Sequence, residues 1–309
     1  MTTSGTTAFD LDLNNLVEEA FERCGKQLRT GYDLKTARRS MNILTIEWAN
    51  RGVNLWTVEQ GTITLVSGQA SYPYPVDTID LLDMVTRTNN GEVNQQDINI
   101  SRISEPTYMT IPNKTTTGRP IQVWVNRQSG NISPTTVTVA TAITTTATTI
   151  TVSNVALLPS NGFVNIDAET IYYQAVSTTN NQLLNCSRAQ NGTTAATHPV
   201  LTYVSINYLP NINVWPTPET GTTYTFVYYR MRRIQDAGGG GVYMQDIPFR
   251  WIPCMAAGLA YYLSIKIPEV DPNRAQLLKA DYEQQFDLAA QEDREKAASR
   301  YVPRMSFYR

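Results

Sequence analysis

Histidine is almost absent from this sequence of 309 residues, because His198 is the only one. Most histidine-based catalysis and most zinc sites need several imidazoles that converge on one point. The sequence also has no Gly-x-Ser-x-Gly, His-Glu-x-x-His or phosphate-binding Gly-Lys-Ser/Thr motif. These absences predict that the chain is not an enzyme and that it holds no metal or cofactor.

Cysteine and long apolar runs are also scarce. The three cysteines are odd in number, lie far apart and show no Cys-x-x-Cys spacing, so they predict buried or unreactive thiols: Cys24, Cys186 and Cys254. No stretch approaches the roughly 18 apolar residues of a membrane span, and the N-terminus lacks the features of a signal peptide. We therefore expect no membrane span and a reducing, aqueous compartment.

An excess of positive charge is missing as well. The 25 lysines and arginines are balanced by 27 aspartates and glutamates, which gives a net charge of −2. This balance argues against a protein that grips nucleic acid through one basic face, so any positive site is expected to be local. The length suits two domains or one domain with a large insertion.

Charged side chains are missing from most of the middle of the chain. Between positions 133 and 205 there are three of them: Asp167, Glu169 and Arg188. The segment is rich in threonine, and turns separate its alternating runs at 149–152, 163–166 and 170–174. This pattern predicts an inserted all-β domain over 133–205.

Apolar residues at helical spacing lie on both sides of this segment. They predict four helices, over 12–30, 33–51, 247–267 and 272–299. Asp10 or Asp12 can cap the first, Gly52 can end the second, Pro268 the third, and Asp271 can cap the fourth.

Alternation of period two predicts a β-sheet over 56–127 and 205–233. The predicted fold class is α+β: a helical bundle of the N-terminal helix pair and the C-terminal helices, an antiparallel β-sheet domain, and the inserted all-β domain. Residues 1–132 and 206–309 would together form one body.

The two acids of the middle segment allow more than one interpretation. Asp167 and Glu169 are two residues apart, so on a strand they would share a face and could act as paired carboxylates or as a cation site. They could also be charges that solvate an otherwise uncharged domain. His198, a lone histidine before a proline, is interpreted as structural.

Two segments near the C-terminus differ from the rest in composition. Four consecutive glycines predict a flexible hinge: Gly238, Gly239, Gly240 and Gly241. The chain then ends in a tail of basic and aromatic residues: Arg300, Tyr301, Arg304, Phe307, Tyr308 and Arg309. Such residues are common in protein contacts, which predicts a docking role, although a solvated terminus or a weak contact with DNA phosphates would have the same composition.

Six short motifs occur in a recognisable order. They are Ile46-Glu-Trp-Ala-Asn-Arg-Gly-Val-Asn-Leu-Trp56, Ser71-Tyr-Pro-Tyr-Pro75, Gly118-Arg-Pro120, Val214-Trp-Pro-Thr-Pro218, Tyr228-Tyr-Arg230 and Ile247-Pro248. Their order resembles the head-to-tail adaptor proteins of short-tailed bacteriophages, the tail-tube A or packaged-DNA-stabilising group. The middle segment is similar to a β-module of several phage structural proteins, through 162–166, 169–173, 184–188 and 191–198, except that Ala189 stands where glycine is usual.

The resemblance implies a structural virion protein at the head-tail junction, assembled in the host cytoplasm. In that family the subunits form a dodecameric ring beneath the portal protein, around a channel for double-stranded DNA that is not read by sequence. The C-terminal tail would dock on the portal, and the sheet and the inserted domain would face a downstream tail, nozzle or fibre protein.

Two other functions remain open from the residues alone. The threonine-rich segment could be an adhesive module that binds a glycan or a host receptor, with the rest of the chain as its mount. An enzyme, for example a wall hydrolase, would have to use Asp167 and Glu169.

Overall fold

A computed structural model describes residues 5, 11–29, 31–53, 55–128, 130–236, 238 and 245–292. The chain divides into two compact units. We call Met1–Glu59 with Met231–Arg309 the helical unit, and Gln60–Arg230 the β unit.

The described residues form a mixed α+β structure. Five α-helices are present: α1 (Leu13–Arg23), α2 (Gly31–Asn50), α3 (Glu105–Met109), α4 (Ile252–Lys266) and α5 (Pro272–Glu292). The strands are β1 (Val58–Leu65), β2 (Ser71–Pro73), β3 (Thr78–Thr88), β4 (Gln96–Asn99), β5 (Ser101–Arg102), β6 (Gln122–Asn126), β7 (Ile132–Ser133), β8 (Ile150–Thr151), β9 (Gly162–Ile166), β10 (Glu169–Tyr173), β11 (Ala175–Ser177), β12 (Gln182–Leu184), β13 (Ser187–Gln190), β14 (Val204–Asn207), β15 (Asn211–Trp215) and β16 (Tyr224–Arg232).

The first helix is shorter than the predicted span 12–30. It stops because Gly25 adopts a left-handed φ of +75° and the amide of Lys26 donates to the carbonyl of Phe21 at 3.0 Å. This is the glycine-terminated end that closes many helices, because glycine has no Cβ to oppose a positive φ.

Three of the other predicted end signals are found, although α2 begins at Gly31, two residues before the predicted 33. Gly52 ends α2 with a φ of +80°. Asp12 caps α1 by accepting a hydrogen bond from the amide of Asn15 at 2.8 Å. Asp271 caps α5 in the same manner, by accepting from the amide of Asn273 at 3.0 Å.

The bounds of the two C-terminal helices differ from the prediction in one respect. α4 begins later than the predicted residue 247, because Pro248 precedes a 3-10 turn at Phe249–Trp251 that leads into the helix. It ends at Lys266, before Pro268, as predicted. The predicted end of the last helix, at 299, lies outside the described residues.

Four helices of the helical unit share one hydrophobic core. α4 lies at its centre, in contact with α1, α2 and α5. Gly258 of α4 permits the close approach, because a Cβ at this position would lie 2.8 Å from Leu44 and 2.9 Å from Tyr282. Trp48 and Trp251 fill the same core with ring centroids 4.8 Å apart.

In the β unit, two four-stranded sheets contribute side chains to one core. One sheet has the order β1-β16-β3-β4 and the other β2-β15-β6-β5. The prediction had one antiparallel sheet where the structure has two, and it differs at three further points. Trp56 lies in a 3-10 turn before β1, β5 and β6 pair in parallel, and α3, which Ser104 caps, interrupts the strands.

The segment 133–205 carries most of two further sheets, of order β13-β10-β9-β14-β7 and β11-β12-β8. Their inward side chains form a core distinct from that of the other two sheets, with these residues among its members: Val137, Val164, Ile171, Tyr173, Leu183 and Val204. Strands lie within or overlap the three predicted runs, at β8, β9 and β10. The assignment of 133–205 as a domain inserted into one body remains a prediction.

Candidate functional site

A buried ion pair lies at the centre of the segment 133–205. Glu169 is the first residue of β10, and its side chain is 1% exposed. Arg188 of β13 donates two hydrogen bonds from its guanidinium to the Glu169 carboxylate. The donor-acceptor distances are 2.8 Å from Nε to Oε1 and 2.6 Å from Nη2 to Oε2. A carboxylate and a guanidinium joined by two parallel hydrogen bonds form one of the strong charge-assisted contacts in proteins.

Three further groups complete the shell around the Glu169 carboxylate. The amide of Ala189 donates to Oε1 at 3.1 Å and the amide of Ala196 to Oε2 at 3.0 Å. The Nε2 atom of His198 also lies 2.9 Å from Oε2. A carboxylate has about four acceptor sites, so both oxygens of Glu169 are fully used.

His198 connects this carboxylate to Asp167. Its Nδ1 atom lies 2.9 Å from Oδ2 of Asp167, and its ring is buried. Asp167 itself occupies the turn between β9 and β10, with a φ of +53°, and is largely exposed. The ring therefore links an exposed turn to the buried ion pair, in agreement with its interpretation as structural.

The environment of Glu169 fixes its charge. Burial acts to raise the pKa of this carboxyl, but the hydrogen bonds from Arg188, the Ala196 amide, His198 and the Ala189 amide outweigh it and lower the pKa to about 2. A carboxylate held in this way is a poor proton donor and has no free oxygen for a substrate or a cation. The arrangement supports a structural role for Glu169.

The paired-carboxylate interpretation is therefore wrong in its geometry. Asp167 and Glu169 do not share one face of a strand, because Asp167 lies in the turn before β10. The interpretation as solvating charges is wrong for Glu169, which is buried, and fits the exposed Asp167. The partner Arg188 was not predicted, although it is the only cation in a segment with two acids.

The cysteine thiols offer no reactive group. All three are free and buried, as the sequence predicted. Burial raises the pKa of Cys24 to about 11 and that of both Cys186 and Cys254 to about 12. Among the described residues, no group of three or more His, Cys, Asp and Glu side chains is arranged to hold a metal ion.

An exposed apolar surface lies beside Asp167. We call it the β-surface and define it by Ile132, Val200, Leu201 and Tyr203, which line one shallow pocket with Asp167. Leu201 is 75% exposed and Tyr203 is 68% exposed. Leu201 also adopts a φ of +68°, which is a costly backbone conformation for a leucine.

The first motif of the resemblance forms a network in the helical unit. Trp48 donates from Nε1 to the Tyr282 hydroxyl at 3.1 Å, and that hydroxyl donates to Glu47 at 3.3 Å. Arg51 grips Glu283 of α5 through two bonds of 3.0 and 3.1 Å. These bonds connect α2 to α5.

The predicted docking residues at 300–309 lie outside the described residues, and so do three of the four hinge glycines, Gly239, Gly240 and Gly241. Gly238 is described. It has a φ of +60°, and its amide donates to Asp236 at 3.1 Å. A left-handed φ suits glycine here, while the hinge itself stays a prediction.

The Glu169–Arg188 ion pair and the three thiols are therefore part of the packed interior of the described residues. A sequence model of the SU10 adaptor protein family matches residues 115–304, more than half of the chain. The chain belongs to this family of phage adaptor proteins, which are virion components. The matched part runs from before β6 past the end of α5 and includes the segment 133–205.

A comparison with curated proteins finds no match. None of the described helices combines the length and the apolar character that a membrane crossing needs. The Trp48 motif lies before the part that the family model matches, so its place in the resemblance rests on the sequence alone.

Proposed function

We propose that this chain is a head-to-tail adaptor of the tail-tube A or packaged-DNA-stabilising group. Copies of it form a dodecameric ring beneath the portal, in the virion, after assembly in the host cytoplasm. The observation that carries the proposal is the family match over residues 115–304, which makes the chain a phage adaptor. The fully bonded Glu169 supports it, because the clearest catalytic candidate is committed to the fold.

Within this proposal the chain has three parts with different tasks. Residues 1–132 and 206–309 form the adaptor body, and the segment 133–205 is an inserted domain that faces outward or toward a tail, nozzle or fibre protein. The glycines 238–241 form a hinge between sheet and helices. The ring encloses a channel through which double-stranded DNA passes without being read by sequence, and this channel retains and releases the genome.

Removing residues 300–309 is expected to abolish attachment to the portal. The described part of α5 ends at Glu292, and the basic and aromatic tail follows in the sequence. Aromatic rings and arginine forks contribute most of the energy in many contacts, so their loss should reduce portal binding by about a hundredfold or more. The measurement is co-sedimentation of the truncated chain with purified portal, together with its occupancy in virions.

A matched control removes the same number of arginines elsewhere. Arg29, Arg119 and Arg233 are exposed, and their triple alanine variant should bind portal as the wild type does. Normal portal occupancy of the truncated chain would show that the tail is not the docking segment.

A second function is favoured by the β-surface alone. Leu201 and Tyr203 are exposed beside Asp167, and exposed apolar residues that lie together are typical of a contact surface. An adhesive role predicts that virions carrying L201S/Y203S assemble normally and adsorb to host cells at least about tenfold less. Unchanged adsorption would exclude the adhesive role. The β-surface would then be assigned to contacts between proteins within the virion.

A further inference from the structure

A groove with an acidic rim crosses the surface of the helical unit between α1 and the start of α4. Its apolar side is formed by Leu11, Ile252 and Pro253, and its rim by Glu18, Glu19 and Glu22. We call this the acidic groove. It is an open surface feature rather than part of the core, because Glu18 and Glu22 are exposed.

The rim carries net negative charge. Glu19 is paired with Arg23, whose Nε lies 2.8 Å from Oε1. Glu18 and Glu22 have no hydrogen-bond or ion-pair partner for their carboxylates within the described part of the chain. They are four residues apart on α1, so they stand one helical turn from each other on the same face.

A ridge of the opposite charge runs along the exposed side of α2. Lys35, Arg39, Ile43 and Ile46 follow one another at helical spacing, and all four are exposed. We call these residues the basic ridge. Ile46 is 61% exposed, which is a large apolar area for a helix surface.

The charges of this ridge also lack partners. Neither Lys35 nor Arg39 takes part in an ion pair with any residue that the structure describes. Next to them, the buried Nε atom of Arg38 has no hydrogen-bond partner. Burial is the larger cause that lowers the pKa of Lys266, and the nearby charge of Arg39 lowers it further.

We propose that the acidic groove of one copy receives the basic ridge of the next copy in the ring. Lys35 and Arg39 have the same spacing of one helical turn as Glu18 and Glu22, and the exposed isoleucines of the ridge match the apolar side of the groove. A closed ring needs two different, complementary surfaces on each subunit, and this pair meets that requirement. Two identical faces would repel each other, so the charges also disfavour a symmetric dimer.

This inference rests on the proposed ring and can be tested with charge reversal in the full-length chain. One variant, E18K/E22K, reverses the groove, and another, K35E/R39E, reverses the ridge. In the presence of portal, each alone should reduce the ring population by about tenfold or more, because like charges then face each other across the contact. Mass photometry measures the population, and circular dichroism verifies that the helices are retained.

Two further samples should restore the ring. An equal mixture of the two variants pairs a reversed groove with a reversed ridge, and a normal groove with a normal ridge, in alternation. The fourfold variant E18K/E22K/K35E/R39E restores complementarity within one chain. The single reversals D287K and K279E on the exposed side of α5 are controls for charge reversal outside the proposed contact, and they should assemble as the wild type does.

The outcomes separate this inference from the proposed function. If the wild type and both double reversals all form rings with portal, the proposed contact between groove and ridge is wrong, and the proposed ring is not. The same conclusion follows if the reversed variants are folded but mixing them does not restore the ring. If E18K/E22K loses portal while K35E/R39E assembles normally, the groove binds another segment, such as 300–309, and the inference is also wrong. If the wild type forms no ring with portal, both the proposed function and this inference are wrong.

Discussion

Replacing Arg188 with methionine is expected to destabilise the segment 133–205 by about 3–5 kcal/mol, because it leaves Glu169 charged, buried and without its counter-ion. The guanidinium also donates to the carbonyl of Ala196 at 2.7 Å, so the same change leaves that acceptor unpaired. The loss should be confined to the strands that surround the pair. Amide hydrogen exchange of β9, β10 and β13, followed by mass spectrometry, measures it directly.

Two variants make this result specific. E169Q/R188M removes both charges of the pair. Its exchange protection should therefore be higher than that of R188M, because the two changes act on one interaction. Arg127, which is half exposed and paired with Asp80, provides the control, because R127M should alter protection by less than about 1 kcal/mol. Equal losses in R188M and R127M would contradict a special role for the buried pair.

The same pair also makes the segment sensitive to acid. Because the folded state holds the pKa of Glu169 at about 2, below the usual value of 4.5, the unfolded chain takes up a proton at this residue first as the pH falls. Its contribution to stability is thus complete above pH about 4.5 and is lost on the way down to pH about 2. The E169Q variant should show a shallower decline of protection over this range.

Replacing Trp48 with alanine is expected to reduce the stability of the helical unit by about 3–5 kcal/mol. The side chain is 0% exposed and packs against Trp251, and its Nε1 atom donates to the Tyr282 hydroxyl. The change therefore leaves a cavity between α2, α5 and the 3-10 turn before α4, and it removes a hydrogen bond from a buried hydroxyl. Urea unfolding followed by helical circular dichroism, with hydrogen exchange of α4, measures the loss.

The control for this experiment lies two residues away on the same helix. Ile46 is mostly exposed, so I46A should change unfolding by no more than about 0.5 kcal/mol. A W48F variant keeps an aromatic ring and loses the hydrogen bond, and should cost about 1 kcal/mol. A W48A loss as small as that of I46A would show that α2 does not depend on this core.

Local signals in the sequence were sufficient where one residue decides the structure. Gly52, Asp12 and Pro268 end or cap helices as predicted, because each acts on its own backbone neighbours. Gly25 is an equal signal, yet the first helix was predicted to continue to 30. Leu28 maintains the helical spacing of apolar residues and does pack on the helical core, but from a non-helical segment.

The contacts of Glu169 could not be predicted, because they depend on the register between strands. β10 and β13 pair with Thr170 opposite Gln190 and Tyr172 opposite Ser187, with an irregularity between these pairs. A shift by one residue would turn Arg188 to the other face of the sheet. Arg188 is the only cation in a segment with two acids, and this could have indicated an ion pair with one of them. The contact of His198 with Glu169 depends on the conformation of a loop, which the sequence pattern does not define.

The central claim is that this phage adaptor forms a ring at the junction of head and tail. An electron cryo-microscopy reconstruction of the virion that locates the segment 133–205 tests it most directly, because the two-sheet core of that segment is recognisable within a map. The account predicts a closed ring of copies directly beneath the portal, surrounding the DNA path. Copies found only on the capsid surface or at fibre tips, away from the portal, would contradict it.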